Sequence, residues 1–433
     1  MKKEIKLWKK AKKKILHGNM LLSKRPEMHL PNIWPTYYSK AKGVNIWGID
    51  NKKYIDMLFL VGPNTLGYAN SKIDNQVIKT IRNGNMSSLN CPEEVYLAEK
   101  LIELHPWGNK VKFARSGGEA NAIAIRIARA ASGRDKVAIC GYHGWHDWYL
   151  SANLKDKNKL NKHLLEGLHP KGVPSKLKNT VIPFQYNDIN GLKKIVENNK
   201  LAAIKMEVSR NQGPENNFLH KVRKLCTKHN IILIFDECTS GFRQTYGGLH
   251  KFYKVEPDMA MFGKALGNGY AITAVLGKDE IMSEAQDSFI SSTFWTERVG
   301  PTAALATLDE MKRTKSWIKI TNLGHYLIKG WKYLGEKYGV NLNISSLPAL
   351  ATLNFSSVKK LEYKTFLTQE MLKKKYLAST LTYLSTAHNK SIINRYIDEL
   401  EPIFKILGEC EDGNKIEKFL KTSVCEKGFK RLN

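Results

Sequence analysis

IILIFDE (residues 231–237) and MAMFGKALGNG (residues 259–269) are the stretches whose reading decides the fold. Each opens on a short apolar run of strand length, the pattern of a strand buried on both faces. The first run ends on Asp236 and Glu237, and the second on Lys264 between Gly263 and Ala265. An aspartate among apolar neighbours is costly unless it meets a cation. A lysine held between small residues at a strand exit can lose its hydration and act as an amine nucleophile. Taken singly, each also fits a surface turn or a solvated lysine. Together they suggest one site at the rim of one sheet.

The surrounding chain supports such a sheet. Over residues 63–314, short apolar runs at 111–114, 137–140, 181–184, 202–206, 231–235, 259–262 and 272–276 alternate with amphipathic helical patterns. Strands alternating with helices predict a mostly parallel, seven-stranded sheet covered on both faces, with ligands beyond the carboxyl ends of its strands. Residues 1–62 are read as an N-terminal segment. It holds a helix within residues 1–22, carrying Ile5, Trp8, Ala11, Ile15 and Leu16 at helical spacing and ending at Gly18. A helix laid on the body of the protein or on a partner subunit is the preferred reading over a membrane-surface helix. GVNIWGIDNKKYIDML (residues 43–58) alternates around Asp50-Asn51 as a hairpin would. Residues 315–433, with a strand at 351–355 and helices at 363–375 and 391–407, read as a smaller α+β domain joined by the N-terminal segment.

Composition narrows the class. A chain of 433 residues with 42% hydrophobic residues buries a full core. The formal charge of +29 would draw it toward anions. Its lysines are nevertheless scattered, dense only between Lys2 and Lys14, without an RNA-binding signature or an aromatic-basic repeat. A solvated lysine-rich surface accounts for the charge, and no specific nucleic acid is expected. Six cysteines without a CxxC pair predict reduced thiols. No apolar run approaches a membrane span and no secretory signal is visible, so a soluble cytoplasmic protein without a membrane partner is expected.

Two further stretches carry chemistry. Ser116-Gly117-Gly118-Glu119 opens a helical pattern. Ser116 as N-cap with Glu119 three residues later is a capping box, which explains both residues. The two glycines also let backbone N–H groups approach an anion at the helix start. Capping and phosphate binding therefore both stay open from this stretch alone. The Walker pattern is excluded, because no lysine precedes the serine. Tyr142-His-Gly-Trp-His-Asp-Trp148 follows a strand. It lacks the serine elbow of a hydrolase and the clustered ligands of a metal site, so no metal is expected. Tyr142, nearest the strand end, is best placed to stack on a planar ligand.

Taken in order, VKFARSGGEANAIAIRIARAASGRDK, YHGWHD, IFDECTSGFR, MFGKALGNGY and GPTAALATL resemble the class III (ω-amino) aminotransferases of fold type I. Among these the chain is most similar to the glutamate-1-semialdehyde 2,1-aminomutase-like group, from about residue 41 to 407. The resemblance implies a pyridoxal 5'-phosphate (PLP) enzyme that cycles with pyridoxamine 5'-phosphate. It implies that Lys264 forms the Schiff base and shuttles the proton, and that Asp236 pairs with the pyridine nitrogen so that the ring acts as an electron sink. Ser116, Gly117 and Gly118 would hold the phosphate, Tyr142 would stack on one ring face, Cys238 would cover the other, and His143 would join the cofactor contacts. Glu207 matches an acidic residue near cofactor and substrate. Thr293 matches a threonine donated to the phosphate across a dimer interface, which implies a homodimer with shared sites.

Three departures concern the substrate side. Thr296-Glu297-Arg298 stands where the family has Gly-Asn-Pro, Val208-Ser209 follows Glu207 where a proline is usual, and Ser23-Lys24-Arg25 is the nearest match to the aminomutase's carboxylate-binding arginine stretch. Substrate contacts are therefore expected around Arg25, Trp145, Glu207 and Arg298. The expected activity is ping-pong transfer of an amino group from a small amine or amino acid to a carbonyl acceptor. Family analogy offers an amino sugar or small keto compound in surface-glycan synthesis as the substrate. The rivals are the intramolecular aminomutase reaction and a non-catalytic basic scaffold or nucleic-acid-binding protein retaining the fold. Lys264 and Asp236 speak against the scaffold, because binding alone requires neither.

Overall fold

The computed structural model describes residues 2–163, 165–209, 211–345 and 347–428. The chain forms two compact units: Met1–Asn70 with Ile318–Asn433, and Ser71–Trp317.

The seven apolar runs become seven strands of one sheet in the second unit. In chain order they are β1 (Lys110–Ala114), β2 (Lys136–Cys140), β3 (Val181–Pro183), β4 (Leu201–Glu207), β5 (Ile232–Asp236), β6 (Met259–Phe262) and β7 (Thr273–Gly277). Their order across the sheet is β1-β7-β6-β5-β4-β2-β3. The pairs β2–β3, β2–β4, β4–β5 and β5–β6 are parallel, whereas β7 runs antiparallel to both neighbours, β1 and β6. Every residue of β4, β5, β6 and β7 is buried, which is why these strands lack polar alternation.

The connection after β1 is helix α1 (Gly117–Ser132). It starts there because Ser116 and Glu119 complete a capping box. Its inner stripe of Ala120, Ile123, Ala124, Ile127 and Ala128 joins Val137, Ile139, Ile234 and Val275 from the sheet in one core. Because β1, β2, β4, β5 and β6 are mutually parallel, the segments leaving them emerge at one rim. Ser116, Tyr142, Glu207, Asp236 and Lys264 all lie in or just after those strand ends.

In the first unit the expected hairpin forms between Asn45–Gly48 and Lys53–Asp56, with Asn51 left-handed at its turn. Tyr376–Leu377 pairs parallel to Lys53–Asp56, so distant parts of the chain share one sheet. A second sheet holds Leu342–Ile344, Leu350–Phe355 and Leu381–Tyr383. The N-terminal helix covers Lys2–Lys14 and buries Trp8 and Ala11, stopping short of Gly18. Ile15 and Leu16 lie beyond it and are exposed, so the apolar spacing overran the helix by a turn. Among the described residues no helix is long and apolar enough to cross a membrane, and no group of three His, Cys, Asp or Glu is placed to hold a metal ion.

Candidate active site

Consecutive strand residues point to opposite faces, and the two acids that end the IILIFDE run separate accordingly. Glu237, fully buried, accepts from Ser240 Oγ, Leu249 N, His250 N and His250 Nδ1 at 2.6–2.9 Å. Trp107 Nε1 can only donate, so His250 Nε2 accepts from it at 3.0 Å and the Nδ1 proton faces Glu237. Glu237 therefore fastens the turn at residues 249–250.

Asp236 is also buried but has different company. Its Oδ2 accepts from His143 Nδ1 at 2.9 Å and from Lys205 Nζ at 3.1 Å, and its Oδ1 accepts from Cys238 N at 3.2 Å. Burial alone would favour the neutral acid. The Lys205 ammonium and the His143 hydrogen bond outweigh it and hold Asp236 well below the usual carboxylate range. Burial, reinforced by Lys205, pushes His143 down, so its ring is neutral with the proton on Nδ1. His143 Nε2 is buried without a hydrogen-bond partner among the described residues.

Lys264 begins a short 3-10 turn, Lys264–Gly267, immediately after β6. Its φ of 45° lies in the left-handed region, a conformation costing about 1–2 kcal/mol for a side-chain-bearing residue and concentrated at functional sites. Its Nζ donates to Thr239 Oγ1 at 2.8 Å.

Cys238 links the stretches. A methyl group placed on Gly117 or on Gly263 would lie 3.9 or 3.5 Å from its Sγ, so the start of α1 and the residue before Lys264 flank the same thiol. Burial, with Asp236 nearby, pushes that thiol well up, so it is a neutral packing group. Over the same helix start crosses the loop after β2. A side chain on Gly144, whose φ is +96°, would come within 3.2 Å of Gly118 Cα, and one on Gly118 would strike the His146 ring. Only glycine permits this approach. Glu207, level with Asp236 across β4–β5, accepts from Tyr142 N at 3.3 Å. The partly buried Tyr142 is thereby held beside the acids.

Of the remaining candidates, Trp145 belongs to that same loop, its Nε1 3.6 Å from a methyl group placed on Gly118. Trp145 stacks on His146 at 4.5 Å and is 70% exposed. Thr293 is exposed at the start of the turn Thr293–Thr296. Arg298 forms a two-pronged ion pair with Glu93 at 2.7 and 2.9 Å, which occupies its guanidinium. Its neighbour Glu297 meets Arg115 Nε at 2.7 Å and accepts from Gly300 N at 2.8 Å, and Arg115 donates to the carbonyls of Trp295 and Glu297. Helix α2 (Val299–Thr314) starts at that point. The departure at Thr296-Glu297-Arg298 is thus built into local ion pairs. Arg25 is buried in the first unit, not in the unit that carries Lys264 and Asp236.

Lys205 and Thr239 were missed. Lys205 carries the same signal that singled out Asp236, an ionisable residue inside an apolar strand, here LAAIKME.

Residues 29–402 match the family model Aminotransferase class-III. A 3-aminobutyryl-CoA aminotransferase of Cloacimonas acidaminovorans is 33% identical over 397 residues, covering 89% of this chain and 91% of its own length. A glutamate-1-semialdehyde 2,1-aminomutase of Fusobacterium nucleatum is 30% identical, covering 94% and 98%. Among solved structures, the PLP internal aldimine form of the FumI protein of Sphingopyxis sp. MTA144 superposes with a TM-score of 0.86 at 22% identity, covering 96% and 99%. The expected family and the expected α/β architecture with its mostly parallel seven-stranded sheet are both borne out.

Proposed function

Since the chain belongs to the class III aminotransferases, we propose that it is a PLP-dependent aminotransferase whose site is the rim built from Lys264, Asp236, Glu207, Tyr142, His143, Cys238 and Ser116–Gly118. One observation carries this reading. A lysine in a strained left-handed turn and a buried carboxylate held ionised stand at adjacent strand ends, with a helix start between them at Cys238.

The residues present fit the cofactor. Gly117 and Gly118 put first-turn N–H groups at the positive end of α1, which suits a phosphate, and the ionised Asp236 suits a cationic ring nitrogen. When bound, PLP withdraws electrons from the substrate's amine-bearing carbon. Lys264 Nζ would be the amine that holds it and the base that takes up and returns the proton on that carbon, with Thr239 Oγ1 steering the Nζ. Tyr142 and Cys238 would contact the ring, and Glu207 would stand toward the substrate.

The reaction is ping-pong transfer between a small amine or amino acid and a carbonyl acceptor, the acceptor class extending to keto sugars. Its test is a donor screen. Loss of the visible cofactor band with a donor, and its return with an acceptor, is expected. A spectrum that no donor changes contradicts the proposal. Efficient conversion of glutamate-1-semialdehyde to 5-aminolevulinate by the aminated form would assign the aminomutase reaction instead, a reading favoured by the Fusobacterium relative.

The homodimer belongs to the same proposal. Phe294, beside Thr293, is 70% exposed and Phe289 is 87% exposed, surfaces a second copy would cover. Thr293→Ala should weaken PLP retention without unfolding the chain; unchanged retention contradicts a shared site. Six cysteines without a disulfide fit a reducing compartment such as the cytoplasm.

A further inference from the structure

Strand β4 reads Leu201-Ala-Ala-Ile-Lys-Met-Glu207, and its lysine has no exposed surface. Register places Lys205 opposite Ile234 and Glu207 opposite Asp236, so Lys205 lies one pleat below the rim on the same face as both acids. From there its ammonium reaches Asp236 Oδ2 at 3.1 Å and Met261 Sδ at 3.3 Å. Full burial bars Lys205 from holding a substrate. A thioether is a weak acceptor, so Asp236 is the partner that makes the buried ammonium tolerable.

The consequence is a question of charge. Asp236 carries one negative charge, and Lys205 already meets it. His143, on the same Oδ2, is neutral and adds none. Cys238, on Oδ1 through its backbone, is a neutral thiol. Glu207 directs Oε2 to Tyr142 N, and Lys264 directs Nζ to Thr239 Oγ1. A protonated ring nitrogen arriving at Asp236 would share its buried carboxylate with a second cation, where like charges repel strongly. Both donors on Oδ2 also fix the carboxylate plane and leave Oδ1 as the freer oxygen.

We propose that Lys205 is a built-in counter-cation for Asp236 that competes with the cofactor's ring nitrogen and lowers that nitrogen's proton affinity. Lys205 is a positioning residue: it touches neither substrate nor cofactor and acts through Asp236. The electron sink is thereby weakened, and the proton transfers of Lys264 bear more of the reaction. This inference rests on the PLP reading above.

The experiment is nitrogen-15 NMR of holoenzyme loaded with PLP labelled at the ring nitrogen, comparing wild type with Lys205→Met and Lys205→Gln between pH 6 and 9. In both variants the resonance is expected nearer the protonated position than in wild type, a difference equivalent to about one pH unit of proton affinity, or about tenfold. Identical resonances, or the opposite order, overturn the inference. A lysine that merely fills space would leave the resonance unmoved in the Met variant. Should neither variant keep the cofactor, wild type decides alone: its ring nitrogen is expected to fall short of the fully protonated value of free PLP in acid, and coincidence with that value overturns the inference. Failure of the underlying reading looks different, because wild type would then show no visible cofactor band.

Discussion

Lys205 Nζ lies 3.1 Å from Asp236 Oδ2, with the two side chains 0% and 5% exposed, on neighbouring parallel strands of the sheet. The buried ammonium depends on the carboxylate for its charge partner. Asp236→Ala is therefore expected to cost about 3–5 kcal/mol of stability, because it strands a buried ammonium. Adding Lys205→Met should restore most of that loss. Denaturant unfolding of the two single variants and the double variant measures this, and simple additivity would show that the pair is not coupled.

The same comparison shows what was legible in the sequence. Asp236 and Lys264 stood out because ionisable residues followed apolar runs of strand length, and Ser116 to Gly118 because cap and glycines coincide at a helix start. Lys205 gave the same signal but sits inside its run, where the rim could not be suspected. The pairing of Arg298 with Glu93 joins residues 205 apart and follows from no local pattern. That Tyr376–Leu377 would pair with Lys53–Asp56 was equally invisible, since two residues carry no periodicity.

Glu297 does locally what the sequence left unexplained. It meets Arg115, with side-chain exposures of 14% and 11%, and caps the first turn of α2 through Gly300 N. Glu297→Ala should destabilise by about 1.5–3 kcal/mol, the range for hydrogen bonds to charged groups. Glu297→Gln should recover part of this through the Gly300 bond. A loss under about 0.5 kcal/mol, within the ordinary scatter of surface substitutions, contradicts the clamp.

Acid should destabilise the protein through buried histidines. Burial pushes His105 down to about 3; its Nδ1 donates to Leu101 O, and its Nε2 accepts from Gly248 N. Since the folded value lies below the ordinary 6.5, the unfolded chain binds the extra proton first. The stability His105 contributes is present above pH 6.5 and is lost progressively toward pH 3, amounting to about 2 kcal/mol at pH 5. His105→Gln keeps the size and hydrogen-bonding capacity without the titration. Its unfolding midpoint should fall less steeply between pH 7 and 5; an unchanged slope contradicts the assignment.

The central claim is that Lys264, strained in its turn after β6, carries the cofactor. Borohydride reduction of the PLP-loaded protein followed by peptide mapping tests it most directly. The account predicts one phosphopyridoxyl label, on Lys264, and none on the buried Lys205. A label on another lysine, or bound cofactor without any adduct, would contradict it.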